Sequence, residues 1–119
     1  MTIVTITNRT FQFSITIVRF IRLLPESSER QVFSRQLLRS ATSIGANITE
    51  AQYSSTKRQF LQYYQIALRS SHETTYWLKL LYNLHGILRE SLTNILNENE
   101  QISKVLTTSI LNAKRNLQK

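Results

Sequence analysis

Two glycines and one proline in 119 residues leave this chain few places to turn tightly. An all-β domain needs turns at short intervals, and those turns draw on Gly and Pro for their backbone angles. Helix formers and Ser/Thr dominate instead, so the sequence reads as all-α. A single domain over residues 1–119 suffices, because one core at this length buries roughly 65% of the unfolded surface.

Local chemistry divides the chain into four helices. Residues 1–7 alternate Thr with Ile or Val and read as an extended, flexible arm. Helix one is expected from Asn8, a suitable N-cap, to Leu24, where Pro25 disfavours helix in the preceding residue. Ser28 with Gln31 forms a capping box that opens helix two, which runs to about Gln52. A second box, Thr56 with Gln59, opens helix three, which continues to His85 and is closed by Gly86. Helix four is expected over 89–117. Such short connections favour antiparallel neighbours, which makes the chain an antiparallel four-helix bundle.

Apolar periodicity marks the core. Helix one carries two stripes, Phe11, Ile15 and Val18 beside Phe13, Ile17, Phe20 and Leu24, and is greasier than a surface helix needs to be. Helix two presents Phe33, Leu37, Ser40, Ala41, Ile44, Ile48 and Ala51. Helix three has a heptad-like stripe of Phe60, Tyr64, Ala67, Ser71, Thr74, Leu78, Leu81 and His85. Its second seam runs Ile66, Ser70, Glu73, Trp77, Leu80 and Leu84. Helix four follows Leu92, Ile95, Asn99, Ile102, Leu106, Ala113 and Leu117, with Asn99 the one polar interruption. Gly45 in mid-helix costs roughly 1 kcal/mol against Ala, so a neighbouring helix backbone is expected to pack too closely there for a side chain.

Fifteen Lys and Arg against seven acids give a formal charge of +8, which suits a negatively charged partner. Nucleic acid is the candidate, with Arg9, Arg19, Arg22, Lys57, Arg58, Lys114 and Arg115 as phosphate contacts on a surface shared within an oligomer. A merely soluble basic surface explains the composition equally well, because the charges stand singly or in pairs. No recognition-helix, aromatic-platform or zinc-finger motif is present, so any binding is expected to ignore sequence. The absence of cysteine excludes disulfides and fits a reducing compartment, so the cytoplasm is the expected location. No apolar run is long enough to span a membrane, the amino terminus carries no export pattern, and the Asn-x-Thr triplets at Asn8 and Asn47 are read as chance.

No catalytic, metal or cofactor site is expected. His72 and His85 stand thirteen residues apart without ligand spacing, and His85 suits the carbonyl end of helix three. Neither a nucleophile elbow nor a phosphate-cradling glycine loop occurs. The one polar constellation is Arg39, Ser43, Asn47 and Glu50, within an arc of about 80° on helix two. Glu73, set among Ile66, Trp77 and Leu80, would be costly to bury unpaired, so Arg39, assisted by Asn47, is expected to meet it across the helix interface.

The run RQLLRSATSIGANITEAQ, Arg35 to Gln52, followed by FLQYYQIALRSSHETTYWLKLL resembles a bacterial four-helix-bundle family. That family includes the intervening-sequence proteins encoded within large-subunit ribosomal RNA genes. More distantly the chain is similar to the accessory variability protein of diversity-generating retroelements. The resemblance covers the chain from Asn8 onward and implies an up-and-down bundle that forms ring-like homo-oligomers, pentamers among them. The retroelement relative binds nucleic acid and a reverse transcriptase. Arg39, Ser43, Asn47, Glu50 and Glu73 occupy the family's characteristic polar positions. Gly45 stands where many relatives carry Pro or another small residue, and Arg69 where many have Gly.

Two functions are therefore expected: a nucleic-acid-associated accessory protein, or a homo-oligomeric scaffold for protein partners. Leu38, Ile66, Trp77 and Leu80 are the candidate contacts between subunits, because one small bundle cannot cover all of its apolar surface.

Overall fold

Helix propensity and the scarcity of breakers are realised in a computed structural model that describes residues 3–84 and 86–118. The elements are α1 (Ile3–Leu23), α2 (Ser28–Gln52), α3 (Lys57–Leu84), a 3₁₀ turn over Gly86–Leu88, and α4 (Arg89–Gln118). Each helix packs on the one before it, and α1 closes the ring against α4, while among the described residues the backbones of the diagonal pairs stay apart. The body measures 51 × 20 × 20 Å. Since the 28 residues of α3 span about 42 Å, its long axis is little more than one helix length. The architecture is an all-α, antiparallel up-and-down four-helix bundle. Among the described residues, no helix is long and apolar enough to cross a membrane.

One stripe from each helix fills the core. Phe13, Ile17, Phe20 and Leu24 of the first segment are buried, whereas Phe11 remains exposed and Ile15 and Val18 lie half-buried. Leu37, Ala41, Ile44, Ile48 and Ala51 face them from α2. Tyr64, Ala67, Leu78 and Leu81 of α3 meet Leu92, Ile95, Ile102 and Leu106 of α4. Phe60 is only partly buried, and Leu61 takes the deeper place. Ile110 completes the α4 stripe in place of Ala113 and Leu117, because a helix of 3.6 residues per turn drifts away from a strict heptad. Gly45 lies against α1: a Cβ there would stand 3.2 Å from the Thr10 carbonyl oxygen.

Three boundaries differ from those expected. The first helix begins at Ile3, not Asn8, so residues 3–7 are helical and not an extended arm. Ile6 and Thr10 are buried, Thr10 Oγ1 donates to the Ile6 carbonyl, and Gln52 Nε2 donates to Thr7 Oγ1. Packing on α2 thus overrides the weak strand preference of the β-branched run. The α2 cap is Ser27, not Ser28; Ser27 is extended, with φ −167° and ψ 164°, and its hydroxyl accepts from Arg30 N. Both adjacent serines suit an N-cap, and the one whose hydroxyl reaches the third amide on becomes the cap, although Arg30 and not a Gln stands in that third place. Gly86 does not adopt the left-handed angles of a helix-closing glycine but starts the 3₁₀ turn. His85 lies outside the described residues. At Thr56 the cap forms, Gln59 N donating to Thr56 Oγ1, but the Gln59 side chain returns to Ser55 N.

Candidate nucleic-acid interface

The hydroxyls and amides at mid-bundle are used up on one another. On the α2–α3 seam, Thr74 Oγ1 donates to Ser40 Oγ at 2.9 Å and Ser70 Oγ to Ser43 Oγ at 2.9 Å. Asn47 Nδ2 donates to the carbonyl and hydroxyl oxygens of Ser43, one turn back, and does not reach Glu73. Across α3 and α4, Asn99 accepts from Ser71 Oγ and donates to the Ser71 carbonyl and to Thr75 Oγ1. Asn99 is fully buried with its amide donating and accepting, which is the condition for a polar group to sit in a core at little cost. Its sequence signal is the break in the α4 stripe; its partners, 28 and 24 positions away in the sequence, carry no local pattern.

The seam opens outward into an ion pair. Arg39 donates to Glu73 at 2.5 Å and to Gln36 Oε1, and Trp77 Nε1 donates to the same Glu73 oxygen. The side chains are 61% and 40% exposed, so the pair lies at the solvent edge and not in the interior. Helix geometry explains this, since α2 and α3 touch through Ser40, Ser43, Ser70 and Thr74, whose small side chains leave the longer neighbours to close outside the contact. Glu50 is exposed and joins no part of this cluster. Beside it lies an aromatic patch: Trp77 contacts Phe33 at 6.0 Å and Tyr76 edge-on at 5.0 Å. Ile66 is exposed on this side of the bundle and Leu80 is half-buried, whereas Leu38 is exposed on the face of α2 that carries Gly45, toward α1.

Within one chain, the seven expected phosphate contacts lie toward different parts of the bundle. Arg9 is engaged: its Nε and Nη2 donate to the two carboxylate oxygens of Glu98 at 2.7 and 2.6 Å, tying α1 to α4. These hydrogen bonds raise the Arg9 pKa above its ordinary value, against the cost of burial and with the carboxylate charge assisting. No motif could announce a pair 89 positions apart in the sequence. Arg19 and Arg22 lie toward the carboxyl end of α1, where Arg19 borders a hollow with Ser91 and Asn94 at the start of α4. The Thr7–Gln52 hydrogen bond fixes the beginning of α1 at the opposite end, about 22 Å away.

That opposite end collects the other four cations. Lys57 lines an open cleft with Asn112, Ala113 and Asn116, the α4 turn that carries Lys114 and Arg115. Arg58 follows Lys57 at the start of α3. All four side chains are exposed, and none enters an ion pair among the described residues. Glu26, Glu73, Glu98 and Glu100 are meanwhile neutralised by Arg30, Arg39, Arg9 and Lys104. More than half of the seven acids are thus spent away from this end. Among the described residues, no three of His, Cys, Asp and Glu come together as a metal site would require.

A helical bundle of this form is already represented among solved structures. A protein of unknown function from the S23 ribosomal protein family of Bacteroides thetaiotaomicron superposes with a TM-score of 0.82 at 37% sequence identity. The alignment covers 88% of this chain and 97% of that one. No curated protein matches the chain. The sequence model of the 23S rRNA-intervening sequence proteins matches residues 4–108, which takes in all of the seam, Arg9, Lys57 and Arg58. The chain belongs to the 23S rRNA-intervening sequence protein family.

Proposed function

We propose that this protein is a non-enzymatic, basic, homo-oligomeric bundle of the cytoplasm that binds nucleic acid through phosphate contacts, as an accessory to other machinery. The observation that carries the reading is the end of the bundle where Lys57, Arg58, Lys114 and Arg115 stand exposed and unpaired. Cations held apart from carboxylates retain their full attraction for phosphate, whereas Arg9, already chelated by Glu98, does not. The family's name, which ties its members to 23S rRNA, supports the same partner class. A binding role fits better than a catalytic one, because the polar groups buried at mid-bundle are paired with one another and, among the described residues, no base stands hydrogen-bonded to a nucleophile there.

Oligomerisation follows from the aromatic face of α2 and α3. Ile66 and Trp77 fall on one side of α3, eleven residues apart, and Phe33 of α2 extends the patch across the groove, while Leu38 stands exposed on the α1 side of α2. A second subunit covers this surface; the family resemblance gives five. A light-scattering mass equal to one chain at micromolar concentration refutes the assembly.

The nucleic-acid reading is tested by titrating a labelled duplex. If each of the four cations engages one phosphate, log K falls with log salt at a slope of about −3.6, so affinity drops about 150-fold between ~50 and ~200 mM salt. No binding at the lower salt contradicts the reading and leaves a scaffold for protein partners in its place.

A further inference from the structure

Phosphate binding by lysine and arginine makes no use of the cleft between those cations. The cleft has a volume of about 680 Å³ and is walled by the end of α2, the start of α3 and the end of α4. That is inside the range of about 300–1,000 Å³ occupied by sites for small molecules. Its floor is aromatic: Phe60 and Tyr64, both lining it, stack with centroids 4.4 Å apart and planes inclined by 26°. Amides of Gln52, Asn112 and Asn116 stand round the wall, and Lys57 is at the rim.

Tyr64 offers the polar group at that floor. The residue is 1% exposed and lines the cleft, its ring stacks on Phe60, and its hydroxyl makes no hydrogen bond among the described residues. Unlike Arg30 Nε and Ser34 Oγ, the hydroxyl is not fully withdrawn from water, so it is free to pair with a group that enters the cleft. Burial raises the Tyr64 pKa, so at neutral pH the hydroxyl is protonated and can donate as well as accept. A cleft with a planar apolar floor, an unpartnered hydroxyl, amide edges and a cation at its mouth is complementary to a heteroaromatic ring that bears a phosphate. The amino end of α3 lies at the same mouth and adds to the preference for negative charge.

We infer that this cleft binds a single unpaired nucleotide, with the base on the partly exposed Phe60 ring and beside the Tyr64 hydroxyl, and the phosphate at Lys57. The inference rests on the phosphate-binding reading above and adds to it a preference for strand ends or frayed nucleotides over continuous duplex. The nucleotide can belong to a strand end or be free, and the same chemistry serves both.

The test compares three duplexes of one sequence by fluorescence anisotropy: blunt, with a one-nucleotide overhang, and with an abasic one-nucleotide overhang. The wild-type chain is expected to bind the overhang duplex about tenfold more tightly than the blunt one, as one stacked base supplies, and the abasic duplex like the blunt one. Tyr64→Phe, which deletes only the hydroxyl, is expected to cut the overhang-to-blunt ratio by about threefold or more. Ala113→Phe, which places a ring in the cleft, is expected to bring the ratio to one, with helicity by circular dichroism as the control for folding. Loss of the preference when a free nucleoside monophosphate competes assigns the site to the nucleotide itself; its retention assigns the site to strand ends. Equal wild-type affinity for blunt and overhang duplexes overturns the inference while leaving phosphate binding intact. A change of oligomeric mass in Ala113→Phe with the preference preserved also overturns it, because the cleft is then a contact between copies. Failure to bind any of the three duplexes at ~50 mM salt removes the phosphate-binding reading and this one with it.

Discussion

The carbonyl oxygen of Thr10 lies 3.2 Å from the position a Cβ on Gly45 would take, so α1 and α2 meet backbone to backbone at that level. Gly→Ala in a helix normally gains about 1 kcal/mol. Here the added methyl must push α1 outward, and the contact is with backbone, which cannot rotate away. Gly45→Ala is therefore expected to gain nothing in urea denaturation, and Gly45→Leu to lose about 1–3 kcal/mol by overpacking. A full 1 kcal/mol gain for the alanine variant contradicts the close approach.

Asn99 is expected to behave as one member of a unit. Asn99→Leu leaves the Ser71 hydroxyl without its acceptor, removes the donor to Thr75 Oγ1 and should cost about 1–3 kcal/mol. Replacing all three, as Ser71→Ala, Thr75→Val and Asn99→Leu, removes the polar groups together and should restore much of that loss. Thermal denaturation of the single and triple variants decides this, and additive losses contradict the network.

How far the sequence discloses this bundle depends on the range of the interaction concerned. The Thr56 cap and the breaks at Pro25 and Gly86 depend on neighbours within a turn, and they can be read from sequence to within a residue or two. The amino-terminal helix cannot be read so, because Thr and Ile alternating over residues 2–7 carry strand preference, and only the burial of Ile6 against α2 reverses it. The close approach at Gly45 is legible because a glycine in mid-helix has a cost that something must offset. Arg39 and Glu73 share an interface visible in the helix periods, but their exposure depends on how closely the serine seam lets the helices approach. The candidate interface is the least legible part. Seven scattered cations look equivalent in one dimension, while in three Glu98 takes Arg9 and the length of the bundle separates Arg19 and Arg22 from the rest.

Two ion pairs joining helices should differ in strength. Arg39–Glu73 is largely solvated and held by one direct contact, so a double-mutant cycle is expected to give about 1 kcal/mol or less, declining with salt. Arg9–Glu98 is held by two hydrogen bonds and is less exposed, at 26% and 37%. After allowance for screening, its coupling should be about 1–2 kcal/mol. A stronger coupling at Arg39–Glu73 than at Arg9–Glu98 contradicts the exposures described.

Tyr64 should mark the alkaline limb of stability. Its folded pKa is raised above the unfolded value of about 10, so the folded state holds the proton more tightly. Its contribution is fully present below about pH 10 and is lost as pH rises through the folded pKa. Tyr64→Phe should therefore show a shallower decline of unfolding free energy above about pH 10 than the wild type. Identical slopes contradict a Tyr64 pKa raised by burial.

The central claim is that one end of the bundle, and not the basic surface at large, meets nucleic acid. The measurement that tests it most directly is the salt slope of duplex binding in two charge-reversal variants. One carries Lys57→Glu, Arg58→Glu, Lys114→Glu and Arg115→Glu; the other carries Arg19→Glu and Arg22→Glu at the opposite end. The first is expected to bind more weakly and to flatten the slope by about 0.9 for each phosphate it no longer engages, while the second keeps the wild-type slope. Equal flattening by both variants, or a larger effect from Arg19 and Arg22, contradicts the account.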